Sequence, residues 1–221
     1  MNNELGLVLT EKLKSIVLGE SIEDLGNKIL YDMCQKYFDH KEENAIFAKT
    51  LILGRAYAVA LERDNSKTKS KNDKIINDAF YRDVIIPTFL NKNSKIDEKI
   101  GSLKGKKLND NNLKEIFNTY LFLLEMTKRL KRGTKRSFCS KYLHFHLPEL
   151  FFIYDSRAKN TITKYEITVS KKHKDLIKEF PRGIYEYINF FCKCLKLQHW
   201  VNEKWGQLLT PRQIDKLLLM I

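Results

Sequence analysis

The chain has 221 residues, of which 43% are hydrophobic and 30% charged; this is enough for a buried core and excludes a disordered tail. Only nine Gly and four Pro are present, too few for the turns of an all-β fold. No apolar run approaches the roughly 20 residues of a membrane span, and the initial "MNNELGLVLTEKLK" lacks the pattern of a signal peptide. We therefore expect a cytoplasmic protein with no membrane partner.

Positive charge is confined to one half of the sequence. The net charge of +13 arises in residues 101–221, with 24 basic and 11 acidic residues, whereas residues 1–100 contain 16 of each. We expect a single all-helical domain over 1–221, with these halves as possible lobes. A basic half predicts a polyanionic partner, nucleic acid first and DNA in particular. The alternative is a lysine-rich surface that is merely solvated.

Apolar residues recur at three- and four-residue intervals along the chain, which predicts an all-α fold of about ten helices. The first two predicted helices cover 5–20 and 21–38, and in the second Ser21 and Asp24 have the spacing of a capping box. A third covers 44–63 and precedes a polar loop. The remaining predicted helices cover 74–90 with an interruption at Pro87, 109–131, 137–146, 156–170, 182–197 and 210–221, the last with Thr210 as cap and Pro211 at its first position.

The stretch "TITKYEITV", residues 161–169, alternates in the manner of a β-strand. The sequence offers it no partner strand, so the prediction stays all-α.

The densest positive charge is the basic segment "KRLKRGTKR", residues 128–136, in which six of nine residues are Lys or Arg. Gly133 can adopt the left-handed conformation that ends a helix, so that the next amides become the unpaired donors of a new helix. Such amides among cations predict a site for the phosphates of a nucleic acid, and the alternative is a solvated helix end. The predicted nucleic-acid-binding residues are Lys128, Arg129, Lys131, Arg132, Gly133, Lys135, Arg136 and Ser137.

An apolar stretch and the segment "FFIYD" follow this basic segment. Together they resemble the helix-hairpin-helix superfamily of DNA glycosylases, whose members carry a hairpin L-P-G-x-G-[KS]-x-A, an apolar helix and a segment like F-P-I-x-D. Gly133 matches the first hairpin glycine, Ser137 the position after the hairpin, and Asp155, 18 residues later, the final acid. The resemblance covers about 30 residues. It implies two helical lobes with a cleft, and hydrolysis of the N-glycosidic bond of a base in DNA.

The departures from the superfamily pattern narrow the expected activity. Lys135 replaces the second hairpin glycine, so we expect an irregular hairpin. Members that also cleave the DNA backbone have a lysine at the position of Ser137, and its absence implies a monofunctional enzyme. The four-cysteine iron–sulfur signature is missing, and we expect no cofactor. The cysteines, Cys34, Cys139, Cys192 and Cys194, are expected to be reduced thiols.

Asp155 is the candidate catalytic residue. Cleavage of an N-glycosidic bond develops positive charge on the sugar, which a fixed carboxylate stabilises while it orients a water. The alternative is that Asp155 only caps the helix that begins at "SRAKN", and the two roles are compatible. Tyr142 and Tyr154 are candidate walls for a flipped base, although aromatic residues at this spacing are usually core.

Two further functions stay open: a non-catalytic DNA- or RNA-binding protein with the same fold, and a helical protein-interaction module. We predict no metal site, because His144 and His146 would point about 200° apart on a helix. The oligomeric state is left open by the sequence.

Overall fold

The structure is a computed structural model that describes residues 6–57, 59, 61, 77–90, 95–128, 130 and 135–221. Within these residues the secondary structure is helical and contains no strand, which confirms the predicted all-α fold. Among the described helices, none is long and apolar enough to cross a membrane. The predicted loop at 63–73 lies outside the described residues.

Twelve α-helices lie within the described residues. They are α1 (Glu11–Leu18), α2 (Ile22–Lys36), α3 (Glu43–Ala56), α4 (Asn77–Phe80), α5 (Ile86–Leu90), α6 (Ile96–Leu103), α7 (Leu113–Lys128), α8 (Arg136–His146), α9 (Ser156–Lys164), α10 (Lys171–Lys178), α11 (Tyr185–Trp205) and α12 (Pro211–Met220). A π-helical turn over Tyr81–Ile85 joins α4 to α5, and a 3₁₀ turn over Arg182–Ile184 precedes α11.

Two helix starts have the caps that the sequence predicts. In α2 the carboxylate of Asp24 accepts from the backbone N–H of Ser21 over 2.6 Å, which forms the capping box. In α12 Thr210 accepts from the N–H of Gln213 and Pro211 is the first helical residue. Local side-chain chemistry therefore sets where these helices begin.

The helix around Pro87 is continuous, so the predicted interruption is wrong. A proline in a regular α-helix lacks a donor and its ring meets the carbonyl four residues earlier. Here the wider π-helical turn directly precedes α5 and lets the helix pass through Pro87. This turn touches α3 at Gly54, where an added Cβ would lie 1.9 Å from the hydroxyl oxygen of Tyr81.

Two helices, α6 and α10, were not predicted from the sequence. The alternating stretch at 161–169 forms no strand, because its first four residues complete α9 and the rest is irregular. Ile167 and Val169 in this irregular part are nevertheless buried. The alternation of apolar residues in this stretch therefore marks buried side chains and not a β-strand paired with another.

The buried apolar residues form one cluster that extends from Leu7 to Leu218. Helix α8 is central to it: every residue from Phe138 to His146 is buried, and the helix packs against α2, α3 and α7. An apolar stripe on α7 faces this cluster. Its members, Ile116, Tyr120, Leu123 and Leu124, together with Leu130 after the helix, are all buried. A division into lobes at residue 100 stays a prediction.

Candidate functional site

The extended segment after α8 runs back along that helix and brings Asp155 to its N-terminal half. His144 in the last turn of α8 donates from Nδ1 to the carbonyl of Phe151 over 2.7 Å. Ser140, one turn earlier, accepts from the backbone N–H of Tyr154 over 3.0 Å. These two contacts hold the segment antiparallel to α8. Asp155 therefore lies beside the middle of α8, the helix that follows the basic segment.

Asp155 is the N-cap of α9, as predicted. Its Oδ1 accepts from the backbone N–H of Ala158 over 2.9 Å, and its Oδ2 lies 3.6 Å from the Nζ of Lys141. That lysine also donates to the carbonyl of Tyr57 over 3.2 Å. The side chain of Asp155 is 26% exposed and that of Lys141 is 9% exposed. The carboxylate is thus fixed by two contacts and still partly open to solvent.

A second carboxylate, Asp215, belongs to α12, which packs against α9. It is buried, and its Oδ2 accepts from Nη1 of Arg212 over 2.6 Å. Within the described residues its Oδ1 has no hydrogen-bond partner. Burial raises the pKa of Asp215 to about 6; the charge of Arg212 opposes this shift and that of Asp155 adds to it.

Asp215 was not predicted from the sequence as a site residue, although α12 carries a signal for its burial. Residues 211, 214, 215 and 218 share one face of a helix, and three of them are apolar. An acid that shares a helix face with three apolar residues is expected to be buried.

The basic segment is described only in part. Arg129, Lys131, Arg132 and Gly133 lie outside the described residues. Lys128 at the end of α7 forms an ion pair with Glu125. Lys135 is the buried N-cap of α8, and Ser137 is half-buried in the first turn of that helix.

Glu186 of α11 binds the described end of the basic segment. Arg136 donates to its Oε2 over 2.6 Å and to the carbonyl of Gly183 over 3.3 Å. The hydroxyl of Tyr154 donates to Oε1 of Glu186 over 2.8 Å, and Lys159 forms an ion pair with the same oxygen. Contact with Lys159 lowers the pKa of Glu186, so the carboxylate is ionised at neutral pH. Arg136 is thereby connected to Tyr154, the residue before Asp155.

Both tyrosines predicted as walls of a base pocket lie in the core. Tyr142 is fully buried and its hydroxyl bonds Nε2 of His40. The ring of Tyr154 is 7% exposed and makes an edge contact with Phe190 at 5.1 Å between centroids. A base could stack on either ring only after neighbouring side chains had moved.

A network of polar side chains that was not predicted from the sequence lies in the core around Tyr142. His40 bonds Asp97 through Nδ1, and because a carboxylate only accepts, the neutral ring accepts from Tyr142 at Nε2. Lys49 donates to Nε2 of His146 over 3.2 Å, and burial lowers the pKa of this lysine to about 8. The network satisfies polar groups within the core.

Neither His144 nor His146 has a ring nitrogen free to bind a metal. His144 and His146 are both buried, and each ring has both nitrogens hydrogen-bonded. No group of three or more His, Cys, Asp or Glu side chains in the described part of the chain is placed to hold a metal ion. The four cysteines are buried free thiols, as expected.

Comparisons with models of known protein families, with curated protein sequences and with solved structures gave no match for this chain.

Proposed function

We propose that this protein binds DNA through its basic half and hydrolyses the N-glycosidic bond of a base, with Asp155 as the catalytic carboxylate. The observation that supports the proposal is that the extended segment after α8 runs back along that helix. It brings a fixed, partly exposed carboxylate beside the middle of α8, the helix that follows the basic segment. Arg136 and Asp155 are then connected through Tyr154 and Glu186. The resemblance to helix-hairpin-helix DNA glycosylases predicts the same pairing of a basic hairpin with this acid.

The proposed reaction is hydrolysis, in which water replaces the base on the sugar. The bond between C1′ and the base nitrogen breaks, the base takes the electron pair and a proton from water, and the hydroxide oxygen bonds C1′. Asp155 stabilises the positive charge that develops on the sugar and accepts a hydrogen bond from the water. The Ala158 amide and Lys141 hold this carboxylate in place, so that it need not reorient during the reaction. With Ser137 where lyases have a lysine, the product is an abasic site.

The phosphates next to the target base need cations near Asp155. Arg157 is exposed two residues after it on α9. Arg136 and Lys159 are both paired with Glu186. A phosphate must therefore compete with that carboxylate for these two cations. The excess charge of residues 101–221 adds a long-range attraction for DNA.

Release of a base from DNA by the Asp155→Asn variant tests the catalytic role. Asn accepts the cap hydrogen bond but carries no charge, so single-turnover base release should fall at least about a hundredfold. The substrates are duplexes that contain uracil, 8-oxoguanine, an alkylated purine or adenine opposite 8-oxoguanine. Asp175→Asn, the same change at an exposed carboxylate on α10, is the matched control and should keep full activity. An Asp155→Asn variant as active as wild type would eliminate the proposed mechanism.

A binding protein without catalysis is the second candidate. One observation favours it: both oxygens of Asp155 already have partners, the amide of Ala158 and the ammonium of Lys141. Wild-type protein that is inert on all four substrates, but whose affinity for DNA falls steeply with salt, would support this function. Weak affinity with no salt dependence would instead favour a protein-interaction module.

A further inference from the structure

A cavity of about 690 Å³ opens at the C-terminal end of α8. The carboxylate of Asp155 lies toward the other end of this helix, beside Lys141, and neither residue lines the cavity. The volume is within the range of pockets that bind small molecules. Most of the lining surface is apolar, and six leucines contribute to it: Leu103, Leu108, Leu147, Leu150, Leu208 and Leu209.

Two side-chain hydrogen bonds fix the walls of this cavity. Gln35 of α2 donates to the carbonyl of His146 over 3.0 Å. Gln198 of α11 donates to the carbonyl of Leu209 over 2.5 Å. These bonds join four parts of the chain around the space, so the cavity is formed before any ligand binds. A preformed site avoids the entropic cost of ordering its walls on binding.

The loop between α6 and α7 places three lysines at one edge of the cavity. The ammonium of Lys106 is paired with Glu115 over 2.6 Å, and that of Lys104 lies 4.5 Å from the ring centroid of Phe38. Lys107 makes no ion pair within the described residues.

The backbone at Lys107 is held in position. Its carbonyl accepts from the side chains of Asn109 and Asn112, over 3.0 and 2.7 Å. One acid, the exposed Glu149, also lines the cavity. Lys107 is therefore an exposed cation on a fixed stretch of backbone beside an apolar space.

We propose that this cavity binds a small amphiphilic anion, an alkyl chain with a carboxylate or phosphate head. The aliphatic walls suit the alkyl chain, while the charged head stays in water beside Lys107, because burying an unpaired charge is costly. An alkyl cation would meet the lysines with like charge. The inference is independent of the glycosylase proposal, since no residue of the basic segment and no part of Asp155 lines the cavity.

Isothermal titration with decanoate, decyl phosphate and decylamine tests the site. Both anions should bind one per chain and saturably, and decylamine should not; the tighter of the two anions identifies the preferred head group. Lys107→Gln should weaken both anions roughly two- to fivefold. Lys174→Gln on α10, also an exposed lysine, is its control and should leave affinity unchanged.

A second pair of variants tests the apolar mouth without disturbing the fold. Leu208 lines the cavity and is 58% exposed, so Leu208→Glu should weaken the anions at least about tenfold. Leu25→Glu, at a 70% exposed leucine on α2 outside the cavity, should have no effect. The proposal is overturned by the lack of saturable binding up to about 1 mM. Equal binding of decylamine, or equal losses in the control variants, would also overturn it. Leu208→Glu should keep the affinity of the wild type for DNA.

Discussion

The ion pair between Asp155 and Lys141 predicts that loss of the charge at position 155 destabilises the fold even when the helix cap is kept. At 3.6 Å the gross attraction between the two charges is about 4–5 kcal/mol at the effective dielectric constant near a protein surface. Most of this is offset because Lys141, at 9% exposure, has lost its hydration. We therefore expect Asp155→Asn to lower the free energy of unfolding by about 1–2 kcal/mol, because the ammonium of Lys141 loses its ion-pair partner.

The Lys141→Met background separates this charge effect from the cap. There the ammonium is absent, so Asp155→Asn should cost under about 0.5 kcal/mol, and the double-mutant cycle should give a coupling of about 1 kcal/mol. Asp155→Ala loses the cap as well and should cost about 1 kcal/mol more than Asn in both backgrounds.

Thermal and urea unfolding followed by far-UV circular dichroism measure these differences. Each kcal/mol corresponds to a shift in Tm of about 2–4 °C for a chain of this size. The pairing of Lys141 with Asp155 in solution would be refuted by a coupling energy of zero. In that case Asp155→Asn would have the same free energy of unfolding as its parent protein in both backgrounds. In that case the carboxylate would be held by its cap alone.

Two further predictions concern stability. The folded-state pKa of Asp215, about 6, is above the ordinary value of 3.8, so the folded protein binds more protons than the unfolded chain between these pH values and loses stability as the pH rises through them. The free energy of unfolding of Asp215→Asn relative to wild type should therefore rise between about pH 4 and pH 7, by at most roughly 2–3 kcal/mol in urea titrations; a constant difference would contradict the raised pKa. Gly54→Ala should destabilise the fold by about 1–3 kcal/mol, because its Cβ would meet Tyr81 at 1.9 Å. The matched change Gly26→Ala, in an exposed helix position with nothing within 4 Å, should stabilise by about 0.5–1 kcal/mol, and equal effects of the two changes would refute the close contact.

Features encoded within a few residues could be predicted from the sequence. The capping box of Ser21 and Asp24, the cap at Thr210 and the cap at Asp155 each depend on a side chain and an amide two or three residues away. The same reasoning from neighbouring residues gave a wrong prediction at Pro87, where it predicted an interruption of the helix. A proline is normally incompatible with a continuous α-helix, and a π-helical turn is not visible in apolar periodicity.

Features that depend on distant residues could not be predicted in this way. His40 bonds Asp97, 57 residues later, and Tyr142, 102 residues later. Glu186, which pairs with Arg136, is 50 residues from it. At Arg136 the count of charge in the basic segment therefore overstated the available cation, because its acidic partner comes from another helix.

Helix α8 connects the two proposed sites, and this has a consequence for how each can be studied. Ser140 and His144 on this helix hold the segment that positions Asp155, while His146 at its end contributes to the cavity. All three side chains are buried, so changing any of them would disturb the core together with both sites. The residues that can separate the functions are those at the surface, Asp155 for the first site and Lys107 with Leu208 for the second. Loss of one activity with retention of the other is expected only from these positions.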